Sequence, residues 1–241
     1  MEKTHVDNEY VVLDDFMPSS LVNHIEQVMM FNDNLAWGFR ESTAGVDDIE
    51  TENKNIKDTF QFQSNLYDHD SGPTSPFFEA IHPIMMFAEY ALGFTIQNIN
   101  RIKANTLLQV ESTKGKHHPP HMDLIDDNGY AMIYYVHDAD GETVLFDQRF
   151  DQAFKNDPKY LNYGAYDLKE IARITPKKGR AVLFHSNRFH ASSNPQVAQR
   201  RVIINHVFTT DDNFLTKIGW LLRFIMVYCK HNKKGSTYRR H

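Results

Sequence analysis

The sequence predicts a mainly β domain, a sandwich or barrel, with helices at both ends of the chain. Three observations lead there. From about residue 94, short β-branched or aromatic runs alternate with turn residues, at 95–110, 121–125, 130–136, 143–147, 171–174, 180–185 and 201–208. Before that point, and again after residue 210, apolar residues recur at helical spacing. Lastly, 241 residues that are 41% hydrophobic can fill one core of generous size, which excludes disorder for most of the chain. We expect a single domain over 1–241. Its parts are a helical N-terminal region over about 1–93, a β core over about 94–210, and a C-terminal helix with a basic tail over 211–241.

The elements follow in order. Glu9-Tyr-Val-Val-Leu13 reads as a short strand. Ser19 or Ser20 can cap a helix in which Leu21, Val22, Ile25, Val28 and Met29 share a face. Residues 40–58 are polar and acidic and read as a solvated loop. Asp68-His-Asp-Ser-Gly-Pro73 is a turn signal. Ser75-Pro76 starts a second helix carrying Phe77, Phe78, Ile81, Ile84, Met85, Ala88 and Leu92, and Gly93 ends it. Within the β region, 148–170 reads as a long insertion of the kind that serves as a lid or binding loop. A helix over about 211–229 closes the fold. It packs on the outer face of the β domain or, as the sharper alternative, makes a homodimer contact.

Composition narrows the function. There are 26 Lys plus Arg and 31 Asp plus Glu, a net charge of −5, which argues against a general nucleic-acid binder. The single cysteine, Cys229, excludes a disulfide framework and a cysteine zinc knot. The first ten residues hold no apolar run, and the longest such stretch, 218–229, is interrupted by Arg223. Neither a secretory signal nor a membrane span is expected, so a cytoplasmic setting is. Histidine stands out with thirteen copies, and imidazole is the commonest protein metal ligand.

The informative segment is His117-His-Pro-Pro-His-Met-Asp123. On a strand, His121 and Asp123 project to one face, so imidazole and carboxylate can reach one point. His190, after the strand introduced by Pro176-Lys-Lys-Gly179, is the best third ligand. Two histidines and one carboxylate form a facial triad with open positions, the set that suits ferrous iron in oxygenases. Eleven residues on, Arg201, Ile203 and Asn205 share one face of a strand. An inward arginine is costly unless it meets an anion, and its fork of donors matches a carboxylate. A small dicarboxylate held between triad and arginine follows.

These residues, in this order, resemble the iron(II)- and 2-oxoglutarate-dependent dioxygenases. Several phrases resemble their prolyl 4-hydroxylase-like branch, including its phage-encoded members: Ile133-Tyr-Tyr-Val-His137, Asp140-Gly-Glu-Thr-Val-Leu-Phe146, Pro176-Lys-Lys-Gly179 and His190-Ala-Ser-Ser-Asn-Pro195. The resemblance covers roughly 94–208 and implies a double-stranded β-helix, or jelly-roll, core. It implies iron ligands at His121, Asp123 and His190. Arg201 would hold the distal carboxylate of 2-oxoglutarate, Tyr135 would assist, and Asn205 would line the same pocket; Arg200 is the alternative anchor, and Tyr134 can exchange roles with Tyr135. The cosubstrates implied are 2-oxoglutarate and dioxygen, the products succinate and carbon dioxide, and the reaction oxidation of an unactivated C–H. One departure matters: Ser112 stands where relatives carry a tyrosine, so Asn105 or Thr106 is expected to build that wall.

Other residues are read more plainly. His117 and His118 are taken as loop residues, His185 as facing away from the metal, and His137 and His206 as satisfying local hydrogen bonds. Tyr160, Tyr163 and Tyr166 are expected to pack within the insertion. The nearest substrate by analogy is a peptidyl proline or other protein side chain. A small metabolite and a nucleic-acid base are alternatives, the last disfavoured because Val207 replaces a second arginine found six residues after the anchor in relatives acting on bases. A binding module without catalysis is the remaining class.

Overall fold

The computed structural model describes residues 2–6, 9–43, 55–150 and 168–210. Over these the chain runs β1 (Glu2–Val6), β2 (Tyr10–Asp14), α1 (Ser19–Phe31), β3 (Gly38–Arg40), β4 (Gln61–Asp68), β5 (Gly72–Pro73), α2 (Phe78–Ile81) and α3 (Pro83–Leu92). It continues through β6 (Ile96–Leu108), β7 (Gly129–Tyr135), β8 (Thr143–Arg149), β9 (Glu170–Ile174), β10 (Ala181–His185), β11 (Arg188–Ser192) and β12 (Arg200–Thr210). Nine strands form one antiparallel sheet whose main path is β1-β2-β10-β7-β12-β6-β4-β3, with β5 paired to β4; β11, β8 and β9 form a second sheet. The fold is a jelly-roll in which the small sheet covers part of one face of the large one.

Every residue of β7 is buried, and the sequence period explains how. Tyr130, Met132 and Tyr134 pack with Ile25 and Met29 of α1 and Ile84, Met85 and Ala88 of α3 on the outer face. Ala131, Ile133 and Tyr135 join Val182, Phe184 and Ile203 on the inner face, against Leu145 and Ile174 of the small sheet. A strand covered on both faces must be apolar throughout, which is why 130–136 shows no alternation. The same two-residue period assigns the tyrosines: Tyr135 points between the sheets and Tyr134 into the helical layer.

Three expectations change. The first 93 residues hold five strands as well as the helices, because β2 and β4 are needed to extend the large sheet on both sides of its centre. Helix α1 starts on the carbonyl of Pro18, which accepts from the N–H groups of Leu21 and Val22, and neither Ser19 nor Ser20 caps it through its side chain. The second helix is broken into α2 and α3 at Pro83, whose missing N–H restarts the helix in its own first turn; Gly93, at φ 72°, then ends it as read. The C-terminal helix, the homodimer contact and Tyr160, Tyr163 and Tyr166 of the insertion lie outside the described residues. Among the described residues no helix is long and apolar enough to cross a membrane.

Two buried histidines far from any acid give the fold a pH dependence. Burial pushes His206 down to about 4; its Nδ1 lies 3.4 Å from the carbonyl of Met132, and its Nε2 has no partner. Burial, helped by Arg149, pushes His185 down to about 3, with its ring 4.7 Å from that of Tyr130. Both are neutral when folded and take a proton on unfolding below about pH 6.5. Stability is therefore flat above that pH and falls as pH drops toward 4, by about 1.4 kcal/mol per pH unit for each histidine. Urea unfolding at pH 7.5, 6 and 5 should show this slope, and His206→Leu should reduce it by one histidine's share; equal midpoints at all three pH values would refute the assignment.

Candidate metal centre and its cavity

The segment 109–128 leaves β6, makes a short 3-10 turn at Glu111–Thr113 and a left-handed turn at Gly115, and returns through Pro119-Pro120. Its next residue, His121, forms one antiparallel rung with β11: its N–H donates to the His190 carbonyl at 2.9 Å, and the His190 N–H donates back at 2.8 Å. Two residues paired in this way present their side chains on one face. The imidazoles accordingly face each other with ring centroids 4.4 Å apart. Asp123, whose N–H donates to the Ser186 carbonyl, brings its carboxylate to 3.5 Å from the Nε2 of His190. One ligand atom from each of the three residues lies within 4.8 Å of the others. The expected strand over 121–125 is absent: one rung aligns His121 with His190, and the separate Asp123 N–H bond to the Ser186 carbonyl brings the carboxylate in.

Protonation suits coordination. Burial first, then His190 and Lys103 nearby, push His121 down to about 3, and burial pushes His190 down as well. Their Nδ1 atoms face the backbone carbonyls of Pro119 at 3.4 Å and Arg188 at 3.1 Å, which leaves each Nε2 lone pair for a metal. Burial alone would raise Asp123, but His190, Arg101, His121 and Lys103 together hold its carboxyl well below the usual range. Arg101 donates to its Oδ1 at 2.7 Å and Asn205 to its Oδ2 at 3.0 Å. The carboxylate is therefore ionised and oriented.

A cavity runs from His121 and His190 between the sheets to Arg201. Arg201 is 2% exposed. Its guanidinium donates to Thr143 Oγ1 at 2.7 Å and stands 5.6 Å from the centroid of the Tyr135 ring, while the Tyr135 hydroxyl donates to the same Oγ1 at 2.8 Å. Its Nε has no partner, and among the described residues no carboxylate pairs with it. Burial raises the Tyr135 phenol, so it stays a neutral donor. Arg200 points to the other face and donates to the Met30 carbonyl, so the cavity belongs to Arg201. Gly141 permits the close approach: a Cβ there would stand 2.9 Å from Cδ of Arg201 and 2.5 Å from the Ser193 carbonyl.

Sequence reading misplaced or missed several neighbours. His117 and His118 lie in the connecting segment and outside the triad, as read, but both are buried. His118 bonds Ser192 and Asn194 through its two ring nitrogens, which ties the ligand segment to β11, and His117 packs against Phe146. Ser112 is exposed; Asn105 lines the cavity and donates to Gln61, whereas Thr106 does not reach it. His137 accepts from the Val202 N–H, as local use implied. Arg101, Lys103, Gln61 and Thr143 were not anticipated. The signal for the first two was the alternation of polar Arg101, Lys103 and Asn105 with Ile102 and Ala104.

Comparison with known proteins agrees with this geometry. Residues 106–209 match the family model of the 2OG-Fe(II) oxygenase superfamily. Among solved structures, a 2OG-Fe(II) oxygenase family oxidoreductase from Burkholderia pseudomallei is similar at TM-score 0.54 and 13% identity, over 83% of this chain and 85% of that one. A prolyl hydroxylase from Trichoplax adhaerens, bound to a peptide fragment of a hypoxia inducible factor oxygen degradation domain, is similar at TM-score 0.50 and 14% identity, over 87% and 86%. A search of curated proteins finds no significant match.

Metal uptake tests the triad. His121→Ala and Asp123→Ala should each lower Mn(II) affinity, read by calorimetry, at least 100-fold. His118→Ala should leave it within about 3-fold while lowering Tm, because that residue is a buried tie outside the triad.

Proposed function

From a chain whose residues 106–209 are a 2OG-Fe(II) oxygenase domain, we propose an assignment of roles to its own side chains. His121, Asp123 and His190 hold the ferrous ion, Arg201 with Thr143 and Tyr135 binds the distal carboxylate of 2-oxoglutarate, and Asn205 keeps Asp123 in place. The donor set fits: two neutral imidazoles and one ionised carboxylate leave the remaining positions of an octahedral ion open. Bound together, iron, 2-oxoglutarate and dioxygen supply the oxidising power to remove hydrogen from an unactivated C–H, with succinate and carbon dioxide released.

The protein's part is geometric and electrostatic. Arg201, buried and lacking a carboxylate, is completed by a diacid that enters the cavity, and this is the observation that carries the reading. Its Nε and Nη atoms form the fork that a carboxylate matches. Leu145 of β8 and Ile174 of β9 pack against Ile133, Tyr135 and Ile203 between the sheets, beside the site. Arg101 and Asn205 fix both oxygens of Asp123, so the carboxylate cannot turn away when the ion arrives.

For the substrate we propose a protein side chain, prolyl foremost, and the fold shared with a peptide-bound prolyl hydroxylase supports this. A cytoplasmic setting is part of the same reading, in keeping with the single cysteine.

Purified protein with ferrous iron should convert 2-oxoglutarate slowly to succinate even without a substrate, and loss of that conversion on chelation marks it as metal-dependent. Arg201→Ala should raise the apparent KM for 2-oxoglutarate about 100-fold, the cost of leaving a buried charge partner unmatched; Arg200→Ala should change it less than 3-fold. The reverse ranking would move the anchor. Gly141→Ala, which pushes on Cδ of Arg201, should raise the same KM with little change in the far-ultraviolet circular dichroism spectrum.

A further inference from the structure

One cation on the cavity wall has no use in the roles assigned above. Strands β6 and β12 pair with Arg201 opposite Leu107, Ile203 opposite Asn105, and Asn205 opposite Lys103, and all six residues line the cavity. The wall is thus a ladder of three rungs, spanning about 14 Å along the strand at its ordinary rise. Arg201 stands on the first rung. Asn205, on the last, touches the Asp123 carboxylate, so the metal triad is level with Lys103. A diacid reaching from Arg201 to the triad would bring its far end to that rung.

The Lys103 ammonium makes no hydrogen bond or ion pair among the described residues. The one acid near it, Asp123, already has Oδ1 on Arg101 and Oδ2 on Asn205. The other charges it feels are those of Arg101 and Arg40, both positive. An ammonium largely removed from water, with two more cations near it and no acid of its own, is costly unless an anion joins it. Burial first, and Arg101 next, push Lys103 below its ordinary value. In a chain of net charge −5, such a concentration of positive charge is not a product of composition.

We propose that Lys103 anchors a second anion subsite of the cavity, at the end opposite Arg201, that takes a carboxylate. The proposal rests on the cosubstrate reading above. The carboxylate has two sources: the keto-acid end of 2-oxoglutarate, or an acidic group of the substrate being oxidised. In the second case Lys103 selects among substrates by charge.

Zinc-loaded protein separates the cases without turnover. Wild type, Lys103→Met and Arg201→Ala are titrated calorimetrically with 2-oxoglutarate and with 2-oxovalerate, which keeps the keto-acid end and lacks the distal carboxylate. Arg201→Ala should weaken only 2-oxoglutarate. If Lys103 holds the keto-acid carboxylate, Lys103→Met weakens both ligands at least 10-fold. If it serves the substrate, both affinities stay within 2-fold, and acetate raises the Tm of the 2-oxoglutarate-loaded protein beyond an equal concentration of chloride. That rise is then lost in Lys103→Met and kept in Lys103→Arg. Lys103→Met indistinguishable from wild type with all three probes overturns the subsite. Wild type that takes up no 2-oxoglutarate overturns the cosubstrate reading instead, and acetate against chloride on the zinc-loaded protein then decides the subsite by itself.

Discussion

The pair of backbone hydrogen bonds between His121 and His190 is the constraint from which the site follows. Without it, residues 69 positions apart have no common frame; with it, two imidazoles face one point. The rest of the arrangement supports that rung. Pro119 and Pro120 bring the segment in with no N–H to satisfy, His118 ties it to Ser192 and Asn194, and the Ser186 carbonyl receives Asp123. Neutral side chains do most of this work, which suits a place where a doubly charged ion is to sit and stray charges would compete for it.

Charge is distributed along the cavity with one sign in excess. Arg201, Lys103 and Arg101 face it or its carboxylate, against Asp123 alone. Arg101 is absorbed by Asp123, and the other two lie at opposite ends of the three-rung wall. A cavity built from two neutral imidazoles and an excess of cations is suited to dianions, and hydrophobic surfaces of Ile133, Leu107 and Ile203 fill the stretch between.

Much of this was readable from residue order, for identifiable reasons. A two-residue period is a local property, so the inward face Arg201, Ile203 and Asn205 follows from the strand alone, whereas His121 and Asp123 meet although 121–125 forms one bridge and no strand. The resemblance added the roles of Arg201 and Tyr135. What stayed hidden depended on nonlocal packing. Tyr134 and Tyr135 are chemically alike, and only the helices on one face and the small sheet on the other separate them. His117 and His118 look like loop residues because burial by Phe146 and by Asn194 comes from chain 29 to 76 residues away. Pro83 was visible, yet an apolar run on both sides of it suggested one helix. Lys103 was overlooked because a lysine in a strand ordinarily faces water, and only its cross-strand partner Asn205 shows that this one does not.

The rung between His121 and His190 joins a 20-residue crossing segment to the three-stranded sheet. Coordination across it would act as a clasp between the two. Occupancy would then be felt less by the helices packed on the far face than by the two layers it joins, and any ion with a preference for the closed form would lend the whole barrel its binding energy through mass action. Iron supply and durability of the protein become one variable, so that a starved cell would lose the polypeptide along with its activity.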